Sequence, residues 1–326
     1  MKILIAPLNW GLGHASRCIP LIRQYVADGH EVILGGDGDS LVLLRKHFPQ
    51  LRYVYLAPLT LRYSSGKRQV WAMIRALPQI IRWAIKDHMM LRAVLHEEKI
   101  DRVISDNRFG LYNKEVESIY ITHQLHIMFP KIWKWLESLA ENLHARICTR
   151  FKEVWIPDFE DPKQNLAGEL SHPHKTINGK WANIKLNYLG PLSRFSTSSS
   201  PQHNTSYSVV AVLSGLEPQR TILEKNIVGH YRNSSQSVLV VQGLVSKPKT
   251  VIKLGNITLV PTMSDEELQN AILGAERIIA RSGYSTIMDL YTLGVLEKAE
   301  LIPTPGQPEQ EYLVQYLSDR TLQGNL

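Results

Sequence analysis

Short apolar runs alternate along this chain with longer segments whose apolar residues recur every three or four positions. Runs of the first kind read as buried strands and segments of the second as amphipathic helices. Lys2 to Ala6 is a strand, Pro7 to Gly13 a loop, and His14 to Ala27 a helix carrying Ile19, Leu21, Ile22 and Tyr25. Asp28-Gly29-His30 ends it, Glu31 to Gly35 is the next strand, Asp39 caps a helix through Phe48, and Tyr53 to Leu56 is a strand again. This βαβαβ order predicts a parallel sheet with crossover helices. A basic helical region follows. Then come strands at Arg102–Ser105, Ser118–Ile121 and Val154–Ile156, with a helical stretch around Ile132 to Cys148 between the last two.

Tyr188-Leu-Gly-Pro191 closes this half, and Ser193 to Ser206 is Ser-rich and without periodicity, which reads as a linker. Alternation then resumes. Ser208–Leu213, Ser237–Gln242 and Ile257–Val260 are strands, Glu217–Tyr231 is a helix, and Asp265–Leu273 is a helix capped by Ser264. Ile278 to Ala280 ends in a Gly turn before a helix through Ile287, Leu290 and Leu293, and Glu300–Pro303 is the last strand. Two α/β domains are therefore expected, residues 1–193 and 205–326, joined by a linker over 194–204.

Composition changes this picture little. The 326 residues are 44% hydrophobic and 21% charged, as in an ordinary globular protein of about two domains. No segment approaches the ~18 apolar residues of a membrane span. The first residues, MKILIAPLNWG, hold too short an apolar run for a signal-peptide core. Cys18 and Cys148 give neither a disulfide framework nor a metal-ligand spacing, and a reducing, cytoplasmic setting is expected. The formal net charge is +7. Between Arg62 and Arg92 seven Lys and Arg residues face one Asp, interleaved with Trp and Met. That mixture suits either peripheral contact with a membrane interface over 62–92 or the solvated face of a core helix.

Candidate chemistry gathers where strands end. Gly11-Leu-Gly13-His14-Ala-Ser16 follows a strand and opens a helix, a near-match to the dinucleotide fingerprint, with Ser16 in place of its third glycine. His14 in that turn also suits a general base, since neutral imidazole can take a proton at pH 7. Asp106-Asn107-Arg108 and Thr122-His123 end two further strands and should face the same crevice. Asp106 is a second candidate base, or the group that orients His14 or His123. In the second half, Ser214-Gly215 ahead of Pro218 and Arg220 reads as a phosphate subsite or a plain βα turn. Arg281-Ser282-Gly283-Tyr284-Ser285-Thr286 places a helix N-terminus, a natural anion site, after a strand. Asp289, one turn on, could accept both hydroxyls of a ribose, and Gln310 and Glu311 could reach those of a sugar.

These residues resemble those of GT-B glycosyltransferases, nearest to the MurG-type family 28 N-acetylglucosaminyltransferases. Gly11-Leu-Gly13-His14 resembles the family's N-terminal Gly-rich loop. Arg281-Ser282-Gly283 through Asp289, then Pro303 through Gln310-Glu311, resembles its donor signature. The family has Glu at Asp289 and Gln at Glu311, and Ser214-Gly215 matches its phosphate loop only loosely. The resemblance implies two Rossmann-like domains about a central cleft. It implies inverting, metal-independent transfer of a hexose or N-acetylhexosamine from a nucleotide sugar, UDP-linked in the usual case, that serves as co-substrate. No separate cofactor and no nucleic-acid partner is expected. Gly11, Gly13, Ser214, Gly215, the 281–286 turn, Asp289, Gln310 and Glu311 would hold the donor, with Asn107, Arg108 and His123 on the acceptor side. The acceptor would be a lipid-linked or cell-envelope glycan on the inner face of the cytoplasmic membrane. A nucleotide-sugar 2-epimerase and a dinucleotide-dependent oxidoreductase are the competing readings. Family members commonly send a terminal helix back across the first domain, and little chain remains beyond Tyr316 to do so.

Overall fold

The computed structural model describes residues 1–59, 69–172, 181–195 and 207–322, and of 69–74 only the backbone. The Ser-rich linker from 196 and the start of the basic stretch, 60–68, lie outside the described residues.

The first sheet has seven parallel strands in the order β3-β2-β1-β4-β5-β6-β7. They are β1 (Lys2–Pro7), β2 (Glu31–Gly36), β3 (Arg52–Tyr55), β4 (Arg102–Asp106), β5 (Glu117–Ile121), β6 (Glu153–Ile156) and β7 (Leu186–Tyr188). Ile3, Leu4, Ile5 and Ala6 are all fully buried, because a parallel sheet is covered on both faces. Helices α1 (Gly13–Ala27) and α2 (Gly38–His47) cover one face, packing on Ile3, Ile5, Val32 and Leu34. Helices α3 (Gln69–Glu97) and α4 (Leu136–Cys148) cover the other. Leu91 of α3 meets Leu4, Ala6 and Ile33, and Ala145 and Cys148 of α4 meet Tyr120 and Val154. The right-handed rule for βαβ crossovers requires this division, since the chain moves one way from β1 to β3 and the other way from β3 onward.

The second sheet has the order β10-β11-β9-β8-β12-β13, parallel except where β10 joins β11. Its strands are β8 (Val209–Val212), β9 (Val238–Val241), β10 (Ile252–Leu254), β11 (Ile257–Val260), β12 (Arg277–Arg281) and β13 (Ala299–Ile302). Its helices are α5 (Gln219–Tyr231), α6 (Asp265–Gly274), α7 (Tyr284–Thr292) and α8 (Pro308–Leu322). Ser264 caps α6 in a full capping box with Glu267. Two short strands, β7 and β10, carry too few apolar residues to stand out in the sequence. On α2 the residue at the N-cap is Asp37, not Asp39, and its carboxylate is turned to Asn9 and Arg108 instead of to the helix.

The brace between domains is α8 itself. Tyr312 accepts the Glu169 N–H, Arg320 donates to the carbonyls of Asn165 and Lys163, and Leu313 and Leu317 join the apolar cluster of α1. Tyr284, Ile287 and Met288 of α7 enter the same cluster, so one hydrophobic core runs through both domains. The helix that contains Tyr316 thus itself crosses back to the first domain.

Candidate active site between the domains

Each sheet reverses its strand order at one point, and in open α/β sheets ligands bind in the crevice there. In the first sheet that point lies between β1 and β4, whose ends Pro7 and Asp106 are register partners. The loop after β1 delivers His14 to the end of β4. In the second sheet it lies between β8 and β12, with Val212 beside Ala280. The turns that follow are Ser214-Gly215 and Ser282-Gly283. The two crevices face one another. Gly11, with φ of 78°, lies opposite the backbone of Gly215. A Cβ on Gly13 would stand 2.9 Å from the Ser285 hydroxyl, which donates to the Gly13 carbonyl at 3.0 Å. A side chain at position 13 would displace the Ser285 hydroxyl and break that hydrogen bond between the domains.

His14 and Asp106 form a hydrogen-bonded pair, Nδ1 to Oδ1 at 2.7 Å. Asp106 is fully buried. Arg17, one turn beyond His14 on α1, grips the same carboxylate through Nε at 2.5 Å and through NH2. Burial alone would raise the Asp106 pKa, but the charges of Arg17 and then His14 overcome it and hold the carboxyl well below its usual range. As an ionised carboxylate it can only accept, and at 2.7 Å it lies nearer His14 Nδ1 than the Arg17 NH2 donor at 3.0 Å, so we assign the proton to Nδ1. His14 Nε2 then presents a lone pair and has no partner among the described residues. Burial, and the Arg17 charge with it, outweigh the pull of Asp106 and lower the His14 pKa, so the ring is neutral at pH 7. The Cys18 thiol beside them is raised by burial and by Asp106, and so stays protonated.

A second chain of contacts crosses the cleft. Arg17 NH1 donates to His123 Nδ1 at 3.2 Å, and His123 Nε2–H donates to Glu309 of α8 at 2.8 Å. Gln124 donates to the other Glu309 oxygen. The His123 ring stacks on Tyr284 at 4.4 Å between centroids, and the Tyr284 hydroxyl donates to the Pro157 carbonyl. His123 therefore lies at the cleft beside the His14–Asp106 pair. Asn107, with φ of 57°, takes the Tyr120 hydroxyl on its side-chain oxygen. Arg108 is elsewhere: fully buried, it donates to both oxygens of Asp87 and to Asp37, and acts as a structural ion cluster under the crevice instead of an acceptor contact.

On the opposite side, Gly283 caps α7 with no side-chain acceptor. The Thr286 N–H is bonded to the Gly283 carbonyl, so the N–H groups ahead of it are the ones placed to meet an anion. Arg281 is 4% exposed and donates to the carbonyls of Pro303 and Gln219. Among the described residues its Nε has no partner and no carboxylate is paired with it, and burial lowers its pKa. The Ser282 hydroxyl is spent on the Gln310 carbonyl, and the Gln310 amide holds Thr304 and Gln307. Gln310 thus shapes the loop after β13, while Glu311 stands exposed on α8. Ser214 and Gly215 line the β8 turn. Arg220 is neutralised by Glu217 and Glu224 and offers no free cation there.

Asp289 departs most from its expected place. It is 8% exposed and accepts the Ser193 hydroxyl at 2.6 Å, with Arg194 Nε at 3.7 Å. The α7 face one turn beyond Ser285 packs against the segment leaving the first domain, where the Leu192 N–H also meets Met288 Sδ. The carboxyl is thus turned to that segment instead of being open to a ribose. Burial raises its pKa to about 6. A carboxyl raised in the folded state contributes fully below its unfolded pKa of about 3.9 and loses that contribution as pH rises through about 6. Asp289→Asn is therefore expected to raise stability at pH 8 by about 3 kcal/mol at most and to leave it nearly unchanged at pH 4. Urea unfolding at the two pH values checks this, and equal shifts at both would contradict the assignment.

The sequence did not single out Arg17, Gln124 or Glu309. Arg17 had a signal, an Arg three residues from His14 inside an otherwise apolar helix face. Glu309 had none, since only the packing of α8 brings it across the cleft.

The fold is that of GT-B glycosyltransferases, two α/β domains with their strand ends opposed. Solved structures agree over nearly the whole chain. The spinosyn rhamnosyltransferase superposes with a TM-score of 0.58 at 12% identity, covering 97% of this chain and 84% of that one. Arabidopsis thaliana UGT89C1, complexed with UDP-L-rhamnose, gives 0.57 at 16%, covering 98% and 82%. In sequence the chain is 23% identical over 322 residues to an uncharacterized glycosyltransferase of Methanosarcina mazei, spanning 95% of this chain and 82% of that one. A counterpart in Methanosarcina acetivorans is 24% identical over 325 residues, with the same coverage. No family model matches the chain. Together these similarities support a glycosyltransferase enzyme.

Proposed function

We propose that the chain transfers a sugar from a pyrimidine-nucleotide donor to an acceptor hydroxyl, with inversion and without a metal ion. The observation that carries this reading is the neutral His14, oriented by a buried, ionised Asp106, facing an uncapped helix N-terminus and a buried arginine without a carboxylate. The acceptor hydroxyl gives its proton to His14 Nε2 as its oxygen attacks the anomeric carbon. The bond from that carbon to the diphosphate breaks on the opposite face, and the nucleoside diphosphate leaves. Asp106 stabilises the imidazolium that forms, and the first N–H groups of α7, with Arg281 behind them, stabilise the departing charge. A pyrimidine base is favoured by two of the structural neighbours, one holding UDP-L-rhamnose and another, the spinosyn rhamnosyltransferase, complexed with thymidine diphosphate. Kinship with the MurG-type enzymes rests on Gly11 to His14 and the 281–289 signature, and the position of Asp289 sets this chain's ribose contact apart from theirs.

Thermal unfolding with UDP, dTDP, GDP, their sugar conjugates and NAD tests the donor assignment. A ligand at a hundred times its dissociation constant adds about 2.7 kcal/mol. UDP or dTDP is expected to stabilise the chain and NAD to leave it unchanged. The Gly11–Gly13 turn packs on the second domain instead of opening along its own sheet, which disfavours a dinucleotide. Stabilisation by NAD alone would overturn the proposal, as would conversion of a sugar nucleotide to its epimer in the absence of any acceptor.

A further inference from the structure

Glu309 lies in the first turn of α8, in the second domain, yet its carboxylate is spent on the first. One oxygen accepts His123 Nε2–H at 2.8 Å, and the other accepts the Gln124 side-chain amide. Desolvation alone would raise the Glu309 pKa, but the hydrogen bond from His123 and the nearby charge of Arg17 lower it, so the group is an ionised acceptor. On the other side of the ring, Arg17 NH1 stands 3.2 Å from His123 Nδ1. Arginine can only donate, so Nδ1 accepts and the ring's proton sits on Nε2. Arg17 and Glu309, from different domains, thus select the same tautomer of one ring. The second domain holds that ring in another way as well. Tyr284, the first residue of α7, stacks on it with the planes 15° apart. His123 is 6% exposed, so these neighbours set its placement and solvent does not.

What His123 receives it passes on. Arg17 is fully buried, with Nε and NH2 on Asp106, NH1 on His123, and NH2 also 3.0 Å from His14 Nδ1. A guanidinium is a rigid plane. A shift of His123 that draws NH1 away therefore turns the whole fork against Asp106 and against the imidazole that Asp106 holds. Glu309, His123, Arg17 and the His14–Asp106 pair form a continuous chain of direct contacts between the domains.

We propose that Glu309 is a positioning residue: through His123 it sets Arg17, so that the His14–Asp106 base of the first domain is complete only when the second domain is seated on it. This role rests on His14 being the base. It also ties the base to the donor side. The Ser282 hydroxyl donates to the carbonyl of Gln310, the neighbour of Glu309, at 3.0 Å. The turn proposed to meet the diphosphate and the carboxylate that seats the base are thus fastened to each other.

NMR of the full chain with nitrogen-15-labelled histidine reads this without turnover. A His14 Nδ1–H held against a buried carboxylate should exchange slowly and give a resolved downfield proton signal, identified by its loss in His14→Ala. The wild type should show that signal. Glu309→Ala should broaden or abolish it, although Glu309 does not bond to His14. Glu309→Gln, whose amide oxygen can still accept from His123, should keep it. A wild type without the signal would refute the base assigned to the cleft and the role of Glu309 with it. A signal indifferent to Glu309→Ala would refute the role of Glu309 alone. Kinetics supply the second arm. Glu309→Ala and His123→Ala should each lower turnover by about a hundredfold, the scale of a misplaced reacting group, and the double variant should be no worse than the poorer single one. Losses that multiply in the double variant would overturn the proposal, since Glu309 would then act on the sugar directly and not through His123.

Discussion

His14→Ala is expected to lower turnover about a thousandfold while nucleotide binding stays within a factor of about two, because the side chain acts on the acceptor and not on the donor. In the proposed reaction His14 Nε2 is the base: its Nδ1 is held by Asp106, and His123 is committed between Arg17 and Glu309. The imidazole borders the cleft and Asp106 keeps Arg17 as its partner when it is removed, so the fold should persist. The pH profile gives an independent check. Burial and the Arg17 charge lower the His14 pKa, so the acid limb of kcat/KM should fall below the ordinary histidine value of about 6.5. An acid limb above that value would assign the base elsewhere, as would a His14→Ala protein of near-normal turnover.

Asp106→Asn should damage both catalysis and the fold. An amide can donate to His14 Nδ1 and so favour the tautomer whose proton sits on Nε2, which cannot act as base. A loss of about 10⁴ in turnover is the scale known for such a change in a hydrogen-bonded triad. Arg17, only 1% exposed, would also lose its carboxylate, and breaking a buried pair from one side costs about 3–5 kcal/mol. The Asp106 carboxyl is depressed in the folded state. Its contribution is therefore present above the unfolded pKa of about 3.9 and is lost as pH falls below it. The wild type should lose stability below about pH 4 more steeply than the Asn variant. Unfolding in urea across the acid and neutral range reads both effects, and parallel pH curves for the two proteins would contradict the role given to Asp106.

The fold was legible because parallel strands buried on both faces are nearly pure apolar runs, as at Ile3 to Ala6 and Ile278 to Ala280, and because the Gly turns stand between strand and helix. Strand order follows from crossover handedness, and it explains why residues 92 positions apart, His14 and Asp106, meet: β1 and β4 are neighbours at the switch point. What the sequence hid depends on side-chain direction. Asp289, Arg108 and Arg220 have the chemistry of ligand contacts, but burial against Ser193, Asp87 and Glu224 gives them structural partners. A motif names the residue type at a position and not which neighbour will claim it. Glu309 shows the converse, an unremarked residue carried across the cleft by a helix that also braces the domains.

The central claim is that a donor held by the second domain is transferred by a base from the first. Mass spectrometry of reactions containing the enzyme, a mixture of UDP- and dTDP-sugars and an extract of cellular glycans and glycolipids tests it most directly. With the wild type, a product heavier than its acceptor by one glycosyl residue should form together with an equal amount of free nucleoside diphosphate, and neither should appear with His14→Ala. Release of nucleoside diphosphate with no glycosylated product, or equal product from the His14→Ala protein, would contradict the account.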